Sequence, residues 1–250
     1  MKYKYNYKFE KKDSRDFKFK NFSRTVLDLP KKIVLSNFPD VLDQGNLGSC
    51  TAQATSNALR YCLKKEKVSD FQPSRLYIYY YSREIEQTVN EDSGAYIRDV
   101  MKAISTHGAC SSQDWPYIIE KFKYKPPINC SLKGKDHIKG LTYLSVNQQE
   151  QDLKSTLFKG YPIICGVMVY ESFESDLSMK TGNIPLPKKN ERCFGGHCIL
   201  LMGYDDNLRQ FKFQNSWGTN VGVKGYFTLP YEYILNPNLS NDFWAITFFK

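Results

Sequence analysis

The sequence predicts an α+β protein in which a helical lobe is followed by a β lobe. Three observations carry this. Up to about Gly108 apolar residues recur at helical spacing between capping residues. After Gly140 the chain breaks into short apolar or alternating runs separated by Gly, Asp and Asn turns. The order, helices first and strands later, suits segregated α and β layers, and no internal repeat is visible.

The elements follow in chain order. Residues 1–23 form a basic, aromatic arm that opens with strict alternation: Tyr3, Tyr5, Tyr7 and Phe9 on one face, Lys2, Lys4 and Lys8 on the other. A period of two suits an extended strand. Val26 to Val41, punctuated by Pro30 and Pro39, reads as loop, and Gln44 to Gly48 as a turn. Ser49 is an N-cap candidate for a helix from about Cys50 to Lys65, Pro73-Ser74 opens a second through Ile85, and a third runs from about Tyr96 to Thr106 and stops at Gly108. Lys121 to Lys139, with Pro126-Pro127, reads as a connection. Strands are expected at Leu141–Val146, Ile163–Val169, His197–Tyr204, Phe211–Gln214 and Gly225–Leu229.

The chain has 250 residues, 41% hydrophobic and 24% charged, with 16 Phe, 18 Tyr and 3 Trp, so it can bury a sizeable core. No stretch approaches a membrane span, and residues 1–20 hold no apolar leader, which points to work inside a cell or virion. Net charge is +9, of which +5 lies in residues 1–20; a near-neutral body with a basic arm argues against a nucleic-acid-binding surface. Seven cysteines (Cys50, Cys62, Cys110, Cys130, Cys165, Cys193 and Cys198) lie at wide spacings, with no C-x-x-C and only three histidines, so no metal site is expected. The odd count suits one working thiol among reduced cysteines, although a pair among Cys110, Cys130 and Cys193 could bridge.

Three local patterns carry chemistry. In Gln44-Gly45-Asn46-Leu47-Gly48-Ser49-Cys50 a thiol stands at the first turn of a helix, where partial positive charge and unpaired N–H groups favour a thiolate and can hold an oxyanion, with the Gln44 amide placed to join them. Gly195-Gly196-His197-Cys198 brings a histidine into an apolar strand, and Asn215-Ser216-Trp217-Gly218 follows another. Singly, each has an ordinary structural reading. Together, the separations of 147 residues from Cys50 to His197 and 165 to Asn215 fit a cysteine nucleophile with distant His and Asn partners.

These residues resemble the papain/cathepsin family of cysteine peptidases. The family's Gln-Gly-x-Cys-Gly-Ser-Cys-Trp appears as Gln44 to Thr51, its His strand as His197 through Gly203-Tyr204, and its Asn-Ser-Trp-Gly segment as Asn215 through Gly225-Tyr226. Weaker matches are Val26-Leu27-Asp28, Asp92 to Tyr96, and Trp115-Pro116-Tyr117. Leu47 replaces a half-cystine, Asp92 stands where its partner would be, and Thr51 and Val221 replace tryptophans, a pattern closer to divergent bacterial and viral members.

The resemblance implies a two-lobed papain-like fold, with a helical lobe over about 36–139, a β-barrel-like lobe over about 140–250 and a cleft between them. It implies Cys50 as nucleophile, His197 as base, Asn215 as the group orienting the imidazole, and Gln44 in the oxyanion hole. Gly48, Gly94, Ala95, Gly196 and Trp217 would line the substrate site, with Gly94-Ala95 on the non-primed side. His107, in a helix's last turn, and His137, in a Lys-rich segment, have no part in this chemistry. The absence of a paired-histidine occluding loop favours an endopeptidase acting on polypeptides without a cofactor. Acyl transfer by the same triad and a non-catalytic binding module are the competing readings. Residues 1–23 are expected to hinder the cleft as a short pro-segment, with a disordered tail as the alternative.

Overall fold

The computed structural model of the chain describes residues 3–9, 13, 16–19, 28–138 and 140–248, His137 by its backbone alone. The expectations on Lys2, on Val26 and Leu27, and on the boundary at residues 23–24 lie outside the described residues.

Helix α1 (Cys50–Lys65) is the central support. Its sequence is rich in Ala, Ser and Thr, and twelve of its sixteen residues are buried, because small side chains let it approach neighbours on both sides. On one side the Cys62 thiol reaches the Ile246 carbonyl oxygen at 3.2 Å. On the other lie α2 (Arg75–Ile85) and α3 (Ile97–His107). The Ser74 hydroxyl caps α2 by accepting the Tyr77 N–H, and α3 buries Ile97, Val100, Met101 and Ile104 at helical spacing before ending at Gly108. Within the expected connection there is a further helix, α4 (Ile128–His137), which starts immediately after Pro127.

The strands form one antiparallel sheet: β1 (Lys32–Val34), β2 (Leu141–Ser145), β3 (Ile163–Tyr170), β4 (Cys193–Asp205), β5 (Gln210–Gln214), β6 (Tyr226–Pro230) and β7 (Ser240–Phe248). The order is β2-β7-β3-β4-β5-β6, with β1 continuing the β3 edge of the long β4. Three short helices, α5 (Glu150–Phe158), α6 (Asp176–Thr181) and α7 (Tyr231–Leu235), complete the chain. The sheet is open, with β2 and β6 as its edges, which corrects the expectation of a barrel-like lobe. Other elements also arise where none was expected: the strands β1, in the segment read as loop, and β7, and the helices α5, α6 and α7.

Period-two alternation sorts β4 between two cores. Cys198 and Leu200 face α1 and the helical cluster, whereas Ile199 and Leu201 join Phe211, Phe213 and Phe227 in the second cluster. His197 therefore stands on a strand fixed on both faces. All seven cysteines are free thiols, and among the described residues no helix is long and apolar enough to cross a membrane.

Arg83 organises the loop that leads from α2 to the cleft. It is fully buried, and its guanidinium donates to the carbonyl oxygens of Tyr79 (3.2 Å), Val89 (2.7 Å), Glu91 (2.9 Å) and Phe122. Arg83→Leu leaves those acceptors unpaired, and the expected loss is about 3 kcal/mol in urea denaturation. Lys133→Ala, which breaks only the exposed pair with Asp114, should leave the midpoint where it is.

Candidate active site

The turn before α1 is held from three directions. Gln44 is fully buried; its backbone N–H donates to the Ser216 carbonyl oxygen at 2.9 Å, its Oε1 accepts the Ser216 hydroxyl at 2.8 Å, and its Nε2 donates to the Leu47 carbonyl oxygen at 3.0 Å. The Cys50 turn and the Asn215-Ser216 segment are thus one hydrogen-bonded unit. Leu47 fills the helical core, and the Gly48 N–H donates to Asp92 Oδ1 at 2.9 Å. The Tyr79 hydroxyl donates to the same oxygen at 2.6 Å. The Leu47 and Asp92 positions, which carry no cystine, are joined by a carboxylate tether instead. Ser49 occupies the N-cap position without capping; its hydroxyl is 2.6 Å from Tyr117 Oη.

Cys50 sits at the buried start of α1, where the backbone amides of Cys198, Thr51 and Cys50 itself act in the direction that favours thiolate. Burial outweighs them and pushes its pKa up to about 12. His197, also fully buried, has Nε2 at 2.8 Å from Asn215 Oδ1, and that oxygen accepts the Ser216 N–H as well. With Nε2–H assigned as the donor, Nδ1 carries a lone pair and has no hydrogen-bond partner among the described residues. Burial pulls His197 down to about 4 despite the opposing Asn215 hydrogen bond. Trp217 stacks on the imidazole with centroids 4.9 Å apart and, with Asn215, shields this pair. Burial thus opposes charge on both groups, raising the thiol and lowering the imidazole.

What dries the cleft is the arm. Tyr3 stacks on Trp217 at 4.3 Å, and Tyr5 meets His197 edge-on at 6.0 Å while its hydroxyl donates to Glu174. The Lys4 carbonyl oxygen is 3.5 Å from Gln44 Nε2, and the Tyr7 N–H donates to the Gly196 carbonyl oxygen at 3.0 Å. Asn6 Nδ2 donates to the Asp92 carbonyl oxygen at 2.7 Å. Gly94 has φ +72°, and a Cβ there would lie 1.8 Å from the Asn6 carbonyl oxygen, so the bare backbone is what lets the arm pass. Ala95 is buried beside it. The basic face is paired: Lys4 with Asp92 at 2.7 Å and Lys8 with Glu86 at 2.8 Å. Farther on, Asp16 pairs with the buried Arg98, and the Phe17 carbonyl oxygen accepts the Ser145 N–H.

The structure thus gathers Cys50, His197, Asn215, Gln44, Gly48, Gly94, Gly196 and Trp217 around one extended segment. His107 lies away from it, stacked on Tyr81. Sequence reasoning missed the Asp92 tether, Arg83 and the partners of the arm; the alternating Tyr and Lys residues were the available signal for the last. Among the described residues no group of three or more His, Cys, Asp or Glu is placed to hold a metal ion.

Residues 28–240 match the papain family of cysteine proteases. The chain is 37% identical, over 95% of its length and 81% of the relative's, to an uncharacterized peptidase C1-like protein of Acanthamoeba polyphaga mimivirus. Among solved structures it is similar to xylellain, a cysteine protease from Xylella fastidiosa, at TM-score 0.91 and 39% identity, covering 98% of this chain and 96% of that one. Digestive procathepsin L 3 of Tenebrio molitor larval midgut shares the fold at TM-score 0.70 and 16% identity, over 90% of this chain and 72% of that one.

The tether can be tested at Asp92 and at one of its donors, Tyr79. We expect Tyr79→Phe to cost about 1 kcal/mol and Asp92→Ala about 2–3 kcal/mol in urea denaturation. The double variant should fall short of the sum, because one carboxylate serves both. Strict additivity would separate Tyr79 from the Cys50 turn.

Proposed function

The chain belongs to the papain family of cysteine proteases, and from that premise we propose that it is a cysteine endopeptidase whose arm covers the active site. The observation that carries this is the His197–Asn215 hydrogen bond, which leaves Nδ1 of a buried imidazole without a partner among the described residues. The thiol proton of Cys50 passes to Nδ1, and the sulfur attacks the peptide carbonyl. The developing oxyanion takes hydrogen bonds from the Cys50 N–H and Gln44 Nε2; the Lys4 carbonyl oxygen already lies near the latter donor. His197 then protonates the leaving amine, giving a thioester. Water, losing its proton to the same nitrogen, releases the acid and restores the thiol. Asn215 orients the ring, and an aqueous, open cleft would relieve the burial that opposes charge on Cys50 and His197 and let the ion pair form.

The covering segment supports inhibition by residues 1–23. It runs from the Trp217 side to the Gly94 side. A substrate whose acyl half lies along Gly94 runs the opposite way, so the arm presents its peptide bonds reversed to the nucleophile. The pairing of Lys4 and Lys8 inside the cleft gives the basic arm a use without nucleic acid. A reducing, intracellular or virion setting is the one proposed, since the Asp92 tether does without a cystine.

Two measurements test this. Hydrolysis of a small peptide should vanish in Cys50→Ala and nearly vanish in Cys50→Ser, with Asn215→Ala losing about 10²-fold. An acyltransferase would instead need an added amine acceptor for turnover, and a binding module would take no covalent label at Cys50 from an epoxide.

The second concerns pH. With the pKa of Cys50 raised to about 12, alkylation of the full chain by iodoacetamide should stay slow from pH 5 to 9. In Tyr5→Ala/Tyr7→Ala it should become fast at pH 7. Equal rates in the two proteins would refute the covering role.

A further inference from the structure

The backbone of Gln44 is gripped by two side chains that come from far along the chain. Arg75, the first residue of α2, donates from Nη1 to the Asp43 carbonyl oxygen at 3.0 Å. Tyr117, in the segment after α3, donates its hydroxyl to the next carbonyl oxygen, that of Gln44, at 2.9 Å. The two donors are themselves stacked, with the guanidinium 4.0 Å from the centroid of the Tyr117 ring, a cation–π contact. One pair therefore fixes two successive carbonyls. The Gln44 N–H is fixed separately, by the Ser216 carbonyl oxygen at 2.9 Å.

The same pair reaches the start of α1. Arg75 Nη1 donates to Gln53 Oε1 at 3.0 Å, and Gln53 Nε2 donates to Ser49 Oγ at 3.0 Å. Ser49 Oγ in turn lies 2.6 Å from Tyr117 Oη. Counting protons assigns the directions: the one hydroxyl proton of Tyr117 goes to Gln44, so the Ser49 hydroxyl donates to Tyr117. Burial pushes the Tyr117 pKa up to about 12, against the pull of Ser49 and Arg75, so that proton is retained. The bonds then run one way, from the guanidinium through Gln53, Ser49 and Tyr117 to the Gln44 carbonyl oxygen, and each polarises the next. Ser49 and Gln53 are fully buried, and this use of the Ser49 hydroxyl accounts for its leaving α1 uncapped.

The circuit ends at the two places from which an oxyanion would be held. One is the backbone of Gln44, whose Nε2 is the side-chain donor. The other is Ser49, whose peptide bond to Cys50 carries the second donor, the Cys50 N–H. Without the Tyr117 hydroxyl the Gln44 carbonyl oxygen keeps the longer bond from the Leu47 N–H, at 3.3 Å, and the peptide that aims Nε2 is freer to turn.

We propose that Arg75 and Tyr117 are positioning residues that set the spacing between Gln44 Nε2 and the Cys50 N–H, and thereby the strength with which the site holds the transition state. The inference rests on the endopeptidase reading of the site. Such donors act on charge that develops during reaction, so misplacing them slows turnover and leaves substrate binding almost as it was.

The test uses the full chain carrying Tyr5→Ala and Tyr7→Ala as the parent, so that the cleft is accessible, with Tyr117→Phe or Arg75→Met added. Three readouts are compared. Hydrolysis of a peptidyl coumarin amide reports turnover. Inhibition by a peptide aldehyde reports the oxyanion donors, because the oxygen of its hemithioacetal takes their place of action. Alkylation of Cys50 by iodoacetamide is a displacement at carbon that creates no oxyanion. We expect Tyr117→Phe to lower kcat about 10-fold with KM within about twofold, and to weaken the aldehyde by the same factor. Alkylation should stay within about twofold of the parent. Arg75→Met should follow the same pattern, and it carries the test should Tyr117→Phe not fold. With Gln44→Ala already present, Tyr117→Phe should cost less than about twofold in kcat. Unchanged kcat and aldehyde affinity, a rise in KM alone, alkylation that falls in step with hydrolysis, or a full effect in Gln44→Ala would each overturn the proposal. Should the parent cleave no peptide, the endopeptidase reading falls on its own, and aldehyde affinity against alkylation still reads the circuit. A parent that is alkylated but binds no aldehyde would overturn both.

Discussion

A single carboxylate, that of Asp92, receives the Gly48 N–H, the Tyr79 hydroxyl and the Lys4 ammonium. The turn that presents Cys50, the helix beneath it and the segment lying over it are therefore tied to the same two oxygens. A cystine could join only the first two. Because the tether is ionic and hydrogen-bonded, the position of Cys50 and the seating of the arm share partners. The loop that carries Asp92 is itself held by Arg83, whose guanidinium gathers carbonyl oxygens from Val89 and Glu91.

The second constraint is dryness. Cys50 and His197 are both fully buried, and desolvation dominates both groups, pushing the thiol up and the imidazole down. The groups that would stabilise charge are nevertheless in place: backbone N–H groups around the sulfur and Asn215 on the imidazole. Geometry is preorganised while protonation is not, and the difference lies in aromatic rings supplied by residues 3–7.

Much of this was legible in the sequence, and what was legible was local. Gln44, Cys50, His197 and Asn215 sit in short sequence patterns that stand out although their partners are distant, and the bounds of α1 follow from its turn and small-residue face. The arm's alternation fixed its extended shape and sorted Tyr inward from Lys, but not its destination, which depends on Gly94 and Gly196 lacking side chains. Helix α4 was hidden because Pro126-Pro127, Gly134 and scattered lysines look like a connection, although a helix may begin directly after proline. In β7, Phe243 to Phe248 is almost continuously apolar, so its two faces became distinct only once a core lay on each side. The Asp92 tether and the Arg75–Tyr117 stack rest on contacts between residues far apart in sequence, and no local rule names such partners.

The arm does not end at the cleft. After Lys8 the chain is gripped again where Asp16 meets Arg98 and where Phe17 hydrogen-bonds Ser145, and Phe19 is buried against the sheet. A segment moored beyond the site it fills behaves as a ligand at a fixed effective concentration, of millimolar order for short tethers, whatever the concentration of the protein. Dilution therefore cannot empty the cleft. A competing polypeptide must outbid that local concentration, or the moorings must be loosened, so occupancy of the site depends also on contacts that Asp16 and Phe17 make outside it.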